Sequence, residues 1–99
     1  MDLYNASKWA LNGLAFDWAK ALAGHNVRVN NLCIGATDTE MIRSWSGPNA
    51  DPVWVDSWMK PEETAEVLVQ LLLEGPSGRS GDNIGLYAGF PCVLPDPEV

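Results

Sequence analysis

The sequence has 99 residues, of which 46% are apolar and 19% are charged, and its formal net charge is −7. This length and composition allow one small globular domain and exclude a disordered chain. The negative charge argues against nucleic acid as a partner, and no apolar run is long enough to span a membrane. Because the first residues do not resemble a secretory signal, we expect a cytoplasmic protein. The two cysteines, Cys33 and Cys92, lack metal-ligand spacing and are expected to be free thiols.

The first predicted element is a long helix over residues 3–23. Apolar residues recur along it at helical spacing, and Gly24 follows where a glycine can end the last turn. Trp9, Phe16 and Trp18 add to its alanines and leucines, so the helix is apolar around much of its circumference. A helix of this kind must be covered on more than one side.

The next predicted element is a strand over residues 27–34, which alternates at first and then becomes wholly apolar before Gly35. A long irregular connection over residues 36–59 follows it. Connections of this length inside compact domains are usually functional lids or disordered. The three tryptophans of this segment argue against disorder.

A second helix is predicted over residues 61–74, with Pro61 at its first position and the Gly75-Pro76 pair as its stop. A second strand is predicted over residues 83–88. A helix between two strands of one sheet predicts that the strands are parallel. Since two parallel strands do not form a stable sheet alone, the α/β chain is expected to be the C-terminal portion of a doubly wound parallel sheet.

The candidate chemistry lies near the start of the first helix, where Tyr4 and Lys8 share one face. A free phenol has a pKa of about 10 and is a poor acid or base at neutral pH, but a nearby ammonium favours the phenolate. A positioned tyrosine could exchange a proton with a carbonyl or alcohol oxygen while a hydride moves at carbon. Taken alone, however, such a pair is more often found on an exposed amphipathic helix face.

The residues around this pair resemble the catalytic helix of the short-chain dehydrogenase/reductase family. The motif Tyr4-Asn5-Ala6-Ser7-Lys8 carries the resemblance, and Gly35, Thr39 and Met41 match the family's Pro-Gly-x-x-x-Thr-x-Met pattern. The similarity extends to about residue 89 with the family's spacings. It implies a Rossmann-type fold of which this chain is the C-terminal portion. It also implies an oxidoreductase that uses NAD or NADP and acts on an alcohol or ketone, with no metal.

The resemblance implies a role for each matching residue. Tyr4 would be the catalytic acid and base, and Lys8 would assist it and bind the nicotinamide ribose hydroxyls. The backbone around Gly35 would approach the nicotinamide ring, which agrees with the rule that ligands bind beyond the C-terminal ends of strands in open α/β sheets. The Thr39 hydroxyl would contact the carboxamide or the pyrophosphate. The cofactor-binding residues implied in this way are Tyr4, Lys8, Ile34, Gly35, Thr37 and Thr39.

Two interpretations remain open for the large apolar residues of the connection. They could line the mouth of a pocket for an uncharged, apolar alcohol or ketone, or they could pin the connection to the body of the domain. The residues concerned are Met41, Trp45, Trp54 and Trp58, together with Met59.

The sequence departs from the family pattern at Ile34, where proline is usual, and at Thr37, where a branched aliphatic residue is usual. The 99 residues do not contain the family's glycine-rich phosphate loop or its substrate-binding serine, so we expect the chain alone to be inactive. The first helix lies at a dimer interface in the family, which implies a homo-oligomer for the full-length form. The alternative is a non-catalytic remnant or an association module that packs through this helix.

Overall fold

The computed structural model describes residues 1–97. Over these residues it contains α1 (Asp2–Leu22), β1 (Asn31–Ile34), α2 (Glu40–Ser46), α3 (Pro52–Ser57), α4 (Pro61–Leu73) and β2 (Asn83–Leu86). The strands are parallel, with Asn31 opposite Asn83 and Ile34 opposite Leu86. The predicted α/β class with parallel strands is therefore confirmed. No helix in the described part of the chain combines the length and the apolar character needed to cross a membrane.

The first strand is shorter than predicted, because residues 27–30 lie outside it. The Val29 amide donates to the Ser80 hydroxyl at 3.0 Å, and its carbonyl accepts from the Gly81 amide at 2.7 Å. Gly81 has a φ of +82°, so this partner segment is a turn and not a strand. The predicted strand over residues 27–34 is therefore wrong for residues 27–30. Alternating apolar and polar side chains indicate an extended backbone, but they do not show whether a partner strand lies beside it.

The end of the first helix also differs from the expectation. A short 3-10 turn, Ala23–His25, follows α1, and Asn26 takes the left-handed conformation with a φ of 58°. Asn26, and not Gly24, therefore reverses the chain. Asparagine tolerates this backbone region better than most residues with a side chain.

The connection over residues 36–59 is not irregular, since it contains both α2 and α3. The Thr39 hydroxyl accepts from the Ile42 amide at the start of α2, and the Asp51 carboxylate accepts from the Val53 amide at 2.9 Å at the start of α3. Thr37 and Met59 form a parallel bridge, which brings the two ends of the connection together. Side-chain caps thus define two helices that are too short for apolar periodicity to reveal.

The core lies on the side of the sheet that α4 covers. Val67 and Leu71 of α4 are buried together with Ile84 and Leu86 of β2 and with Met59. Leu32, Cys92 and Leu94 pack against this cluster, so the segment after β2 closes it. Both cysteines are free. The other side of the sheet faces α1, where the candidate site lies.

Candidate active site

A cleft of about 610 Å³ lies between the first half of α1 and the end of β1. Its volume is within the usual range of small-molecule sites. Most of its wall is apolar or aromatic, and it also carries two phenol hydroxyls, an ammonium group and two amides. The lining residues are Tyr4, Lys8, Trp9, Leu11, Asn12, Asn31, Leu32, Cys33, Ile34, Gly35 and Tyr87.

The predicted pair Tyr4 and Lys8 forms one wall of this cleft. The helical spacing of four residues puts both side chains on the same face of α1, and Lys8 Nζ lies 5.5 Å from the centroid of the Tyr4 ring. This distance is within the range of a cation–π contact. Tyr4 is 43% exposed, so the ring and the ammonium group are both accessible from the cleft. The helix therefore presents a phenol with a positive charge beside it.

The opposite wall is the C-terminal end of β1, where Ile34 and Gly35 also line the cleft. The Gly35 amide donates to the Leu86 carbonyl at 2.8 Å. A Cβ atom at Gly35 would lie 2.9 Å from that carbonyl oxygen, which is closer than real contacts allow. The close approach of the end of β1 to β2 thus requires a glycine at position 35. On the side of the cleft, the backbone of Gly35 is exposed.

Thr37 and Thr39 lie outside the cleft lining, and their hydroxyls are engaged by the backbone of the chain. The Thr37 hydroxyl donates to the Gly35 carbonyl at 3.0 Å, and the Thr39 hydroxyl caps α2. Next to them, Arg43 forms a bidentate pair with Asp38, and these hydrogen bonds hold the pKa of the Asp38 carboxyl below its usual value. These interactions fix the path of the chain as it leaves β1.

The predicted substrate residues are separated in the structure. Trp45 of α2 meets the Tyr4 ring edge-on, with 6.2 Å between the ring centroids. Trp58 is buried, packs edge-on against Trp54 at 5.0 Å, and lines a separate cavity of about 280 Å³. Met41 is 58% exposed. Trp45 is therefore brought to the Tyr4 ring. Trp58 instead packs against Trp54 and the Arg43 guanidinium within the connection itself.

Besides Trp9, four polar or aromatic residues of the cleft lie outside the predicted set. Asn12 lies one helical turn after Lys8, and Asn31 and Cys33 alternate with Leu32 and Ile34 along β1. Counting four residues along the helix from Lys8 gives Asn12, and counting two and four residues back along the strand from Gly35 gives Cys33 and Asn31. The periodicity of the two elements is therefore the signal that could have predicted these three residues. Tyr87 enters the cleft because β2 lies beside β1, which depends on long-range strand pairing.

The chemistry of this lining fits a nicotinamide nucleoside. An ammonium group offers several hydrogen-bond donors for sugar hydroxyls, and apolar walls accept a planar ring. The exposed backbone at Gly35 allows close approach at the end of the strand, as open α/β folds require for ligands of this kind.

Comparisons with known proteins agree with this geometry. A family model described as short chain dehydrogenase matches residues 1–49. The 3-oxoacyl-(acyl-carrier-protein) reductase FabG of Thermotoga maritima is 33% identical over 91 residues, covering 88% of this chain and 37% of that protein. The uncharacterized oxidoreductase YmfI of Bacillus subtilis is 30% identical over 94 residues, covering 91% of this chain and 39% of that protein.

A solved structure, 4-hydroxyisoleucine dehydrogenase complexed with NADH, is similar with a TM-score of 0.63 and 28% sequence identity. The match covers 87% of this chain and 37% of that one. The chain thus spans less than two fifths of the length of the proteins it matches, and the similarity extends over nearly all of its own residues.

Proposed function

The chain belongs to the short-chain dehydrogenase/reductase family, and we propose that it carries the proton-transfer residues of a nicotinamide-dependent oxidoreductase. The reaction would transfer a hydride between NAD(H) or NADP(H) and an alcohol or carbonyl substrate. One observation carries the proposal: Tyr4, Lys8 and Gly35 line the same cleft. The FabG reductase and the 4-hydroxyisoleucine dehydrogenase that the chain resembles support this reaction class.

In this mechanism the residues of the chain handle the proton. A nicotinamide bound in the cleft would supply or accept the hydride. The Tyr4 hydroxyl donates a proton to the carbonyl oxygen during reduction and, as phenolate, takes one from the alcohol during oxidation. The Lys8 ammonium stabilises the phenolate and donates hydrogen bonds to the ribose hydroxyls. General acid–base assistance of this kind contributes about 10²–10⁴ in rate.

The proposed cofactor contacts along β1 are made by backbone groups. Ile34 and Gly35 line the cleft and would face the nicotinamide ring. The hydroxyls of Thr37 and Thr39 already bond the chain's own backbone, so these residues would act chiefly by holding the strand end and the start of α2.

We propose a small, apolar alcohol or ketone as the substrate. Its reacting oxygen would approach the Tyr4 hydroxyl, and Trp45 would cover the ring from α2. The exposed Met41 would line the approach to the cleft, and Trp54 and Trp58 would support this segment from below. Apolar walls of this kind favour an uncharged substrate.

The experiment is the Tyr4→Phe substitution in the complete protein that carries this chain. Turnover should fall by at least about 10²-fold, because the phenol is the group that exchanges the proton. Cofactor binding, followed by the fluorescence of the reduced nicotinamide, should be preserved, because the ring and Lys8 remain. Near-normal turnover in this variant would contradict the proposed mechanism.

A second candidate is an association module, and the surface of α1 favours it. Leu3 is 87% exposed and Trp9 is 74% exposed, and apolar surface of this kind commonly marks an interface. The two candidates are compatible if α1 packs against a second subunit in a homo-oligomer. The two candidates are distinguished if Leu3→Lys changes the molar mass in solution while the unsubstituted protein shows no nicotinamide-dependent turnover.

A further inference from the structure

One face of α1 packs against the sheet, and a single polar residue lies on it. Among the described residues of this helix, those shielded from solvent are Asn12, Ala15, Ala19 and Leu22. Their spacing of three and four residues is that of one helix face. Ala15, Ala19 and Leu22 are apolar, so Asn12 is the polar exception at the N-terminal end of this contact face.

The same face continues toward the start of the helix as Lys8 and then Tyr4, at intervals of four residues. Both of these residues are exposed and lie over the cleft. Asn12 is therefore the last position at which α1 packs against the sheet before the candidate catalytic pair. Any shift of the helix at Asn12 moves Lys8 and Tyr4 with it.

The partner of Asn12 is Asn31, the first residue of β1. Asn31 Nδ2 donates a hydrogen bond to Asn12 Oδ1 and lies 3.6 Å from the Cys33 sulfur. Asn31 is four residues before Gly35 on the same strand, and both asparagines line the cleft. This bond thus joins the helix of the proton-transfer pair to the strand whose end forms the opposite wall.

We propose that the Asn12–Asn31 hydrogen bond sets the register of α1 on β1, so that both asparagines are positioning residues for Tyr4 and Lys8. This inference rests on the proposed function. Contacts made by alanine and leucine leave a helix free to slide or rotate, whereas an amide pair is directional. Polar residues in apolar helix contacts are known to specify register at a cost in stability.

The proposal predicts that stability and turnover respond differently when both amides are removed. The double variant Asn12→Leu/Asn31→Val leaves no unpaired amide, so its unfolding midpoint should be unchanged or higher. Its kcat should fall by about tenfold to a hundredfold, because an ångström of misplacement is enough for such a loss. KM for the carbonyl substrate should stay within about twofold, as expected when ground-state binding is unaffected.

The matched control is Asn49→Leu/Asn83→Val, which makes the same two kinds of change at asparagines outside α1 and β1. Both residues are exposed and lie outside the cleft lining, so kcat should remain at the wild-type value. A double variant of Asn12 and Asn31 with wild-type kcat would overturn the proposal, as would an equal loss in the control.

An isosteric substitution covers the case in which the double variant does not fold. Asn31→Leu keeps the branched shape of the side chain and has neither a donor nor an acceptor, so Asn12 cannot restore the bond by rotating its amide, and kcat should fall in the same way. Wild-type turnover in Asn31→Leu would overturn the proposal.

Alkylation of Cys33 gives a measurement that does not depend on turnover. Cys33 is half-buried beside Asn31, so loss of the hydrogen bond should raise its alkylation rate severalfold, followed by mass spectrometry of the peptide that contains it. An unchanged rate in Asn31→Leu would count against the contact. If the protein lacks nicotinamide-dependent turnover, the proposed function fails, and this rate still tests the hydrogen bond.

Discussion

Two lysines of α1 each lie against an aromatic ring, and the contrast between them isolates the role of the candidate site. Lys8 Nζ lies 5.5 Å from the Tyr4 ring centroid and lines the cleft, whereas Lys20 Nζ lies 4.6 Å from the Phe16 ring in the last turn. The geometry of the two contacts is similar, but the ring beside Lys8 carries a hydroxyl that can exchange a proton.

We predict that Lys8→Met lowers kcat by about tenfold to a hundredfold and weakens cofactor binding, because the ammonium serves both the phenolate and the ribose. Lys20→Met should leave both constants within about twofold and cost some stability through the helix dipole. Steady-state kinetics and a fluorescence titration of the reduced cofactor measure the two effects. Equal losses in the two variants would show that the charge acts through the helix and not at the cleft.

Gly35 and Gly13 provide a second contrast at the residue scale. A Cβ atom at Gly35 would lie 2.9 Å from the Leu86 carbonyl, whereas a Cβ atom at Gly13 meets nothing within 4 Å. Gly35→Ala should therefore destabilise the protein by about 1–3 kcal/mol, because the backbone of β1 or β2 must move. Gly13→Ala should stabilise it by up to about 1 kcal/mol through helix propensity. Denaturant unfolding measures both, and a neutral Gly35→Ala would contradict the close strand approach.

The sequence predicts the residues of the candidate site that belong to local motifs and misses those that depend on pairing between elements. Tyr4 and Lys8 share a helix face by spacing alone, and the structure places both on the cleft. Tyr87 enters it because β2 lies beside β1. This depends on pairing between residues far apart in the chain, which a single sequence does not encode in any short pattern.

At the scale of elements, chemical stop signals locate boundaries better than apolar periodicity does. Helix α4 is predicted over residues 61–74 and observed over Pro61–Leu73, because proline and glycine restrict the backbone by themselves. Strand β1 is predicted over 27–34 and observed over Asn31–Ile34, because a ladder requires a partner strand. The helices α2 and α3 were missed, since 7 and 6 residues are too few to show a helical period.

The turn between α4 and β2 is held by a carboxylate that accepts several hydrogen bonds. Glu74 accepts from the Arg79 guanidinium at 2.6 Å and 3.0 Å and from its backbone amide at 3.2 Å. Arg28 approaches the same carboxylate at 3.7 Å. The Arg79 hydrogen bonds hold the pKa of Glu74 below its ordinary value of 4.5. The carboxylate thus ties the end of α4 to the entry of β2.

This pairing predicts a pH dependence of stability. Because the pKa of Glu74 is lower in the folded state, its contribution is complete above the ordinary value of 4.5 and is lost as the pH falls through the folded value. The unfolding midpoint should therefore drop below that pH, and Glu74→Gln should flatten this part of the profile. Glu62→Gln, which removes an exposed carboxylate of α4, is the control. Identical profiles for wild type and Glu74→Gln would contradict the prediction.

At the scale of the whole molecule, the chain is extended for its mass. Its radius of gyration is 15.5 Å, whereas a compact domain of 99 residues has about 13 Å. Its accessible surface of 7210 Å² exceeds the roughly 5,500 Å² expected for a compact monomer of 10.8 kDa. Part of the exposed apolar surface lies on α1, whose aromatic residues Trp9, Phe16 and Trp18 are at least half exposed. The sequence predicts that α1 is apolar around much of its circumference, and the described residues leave much of this apolar surface exposed.

This surface predicts how the 99-residue chain behaves when it is produced alone. A two-stranded parallel sheet is below the size that is stable by itself, and exposed apolar helix surface favours loose or associated states. We expect a weak near-ultraviolet circular dichroism signal from the five tryptophans, binding of a hydrophobic dye, and a gradual thermal transition. Helical far-ultraviolet signal should persist, since α1 and α4 have strong local propensity. A strong near-ultraviolet spectrum that melts sharply and cooperatively would show that the chain folds on its own, and the exposed face of α1 would then need no partner.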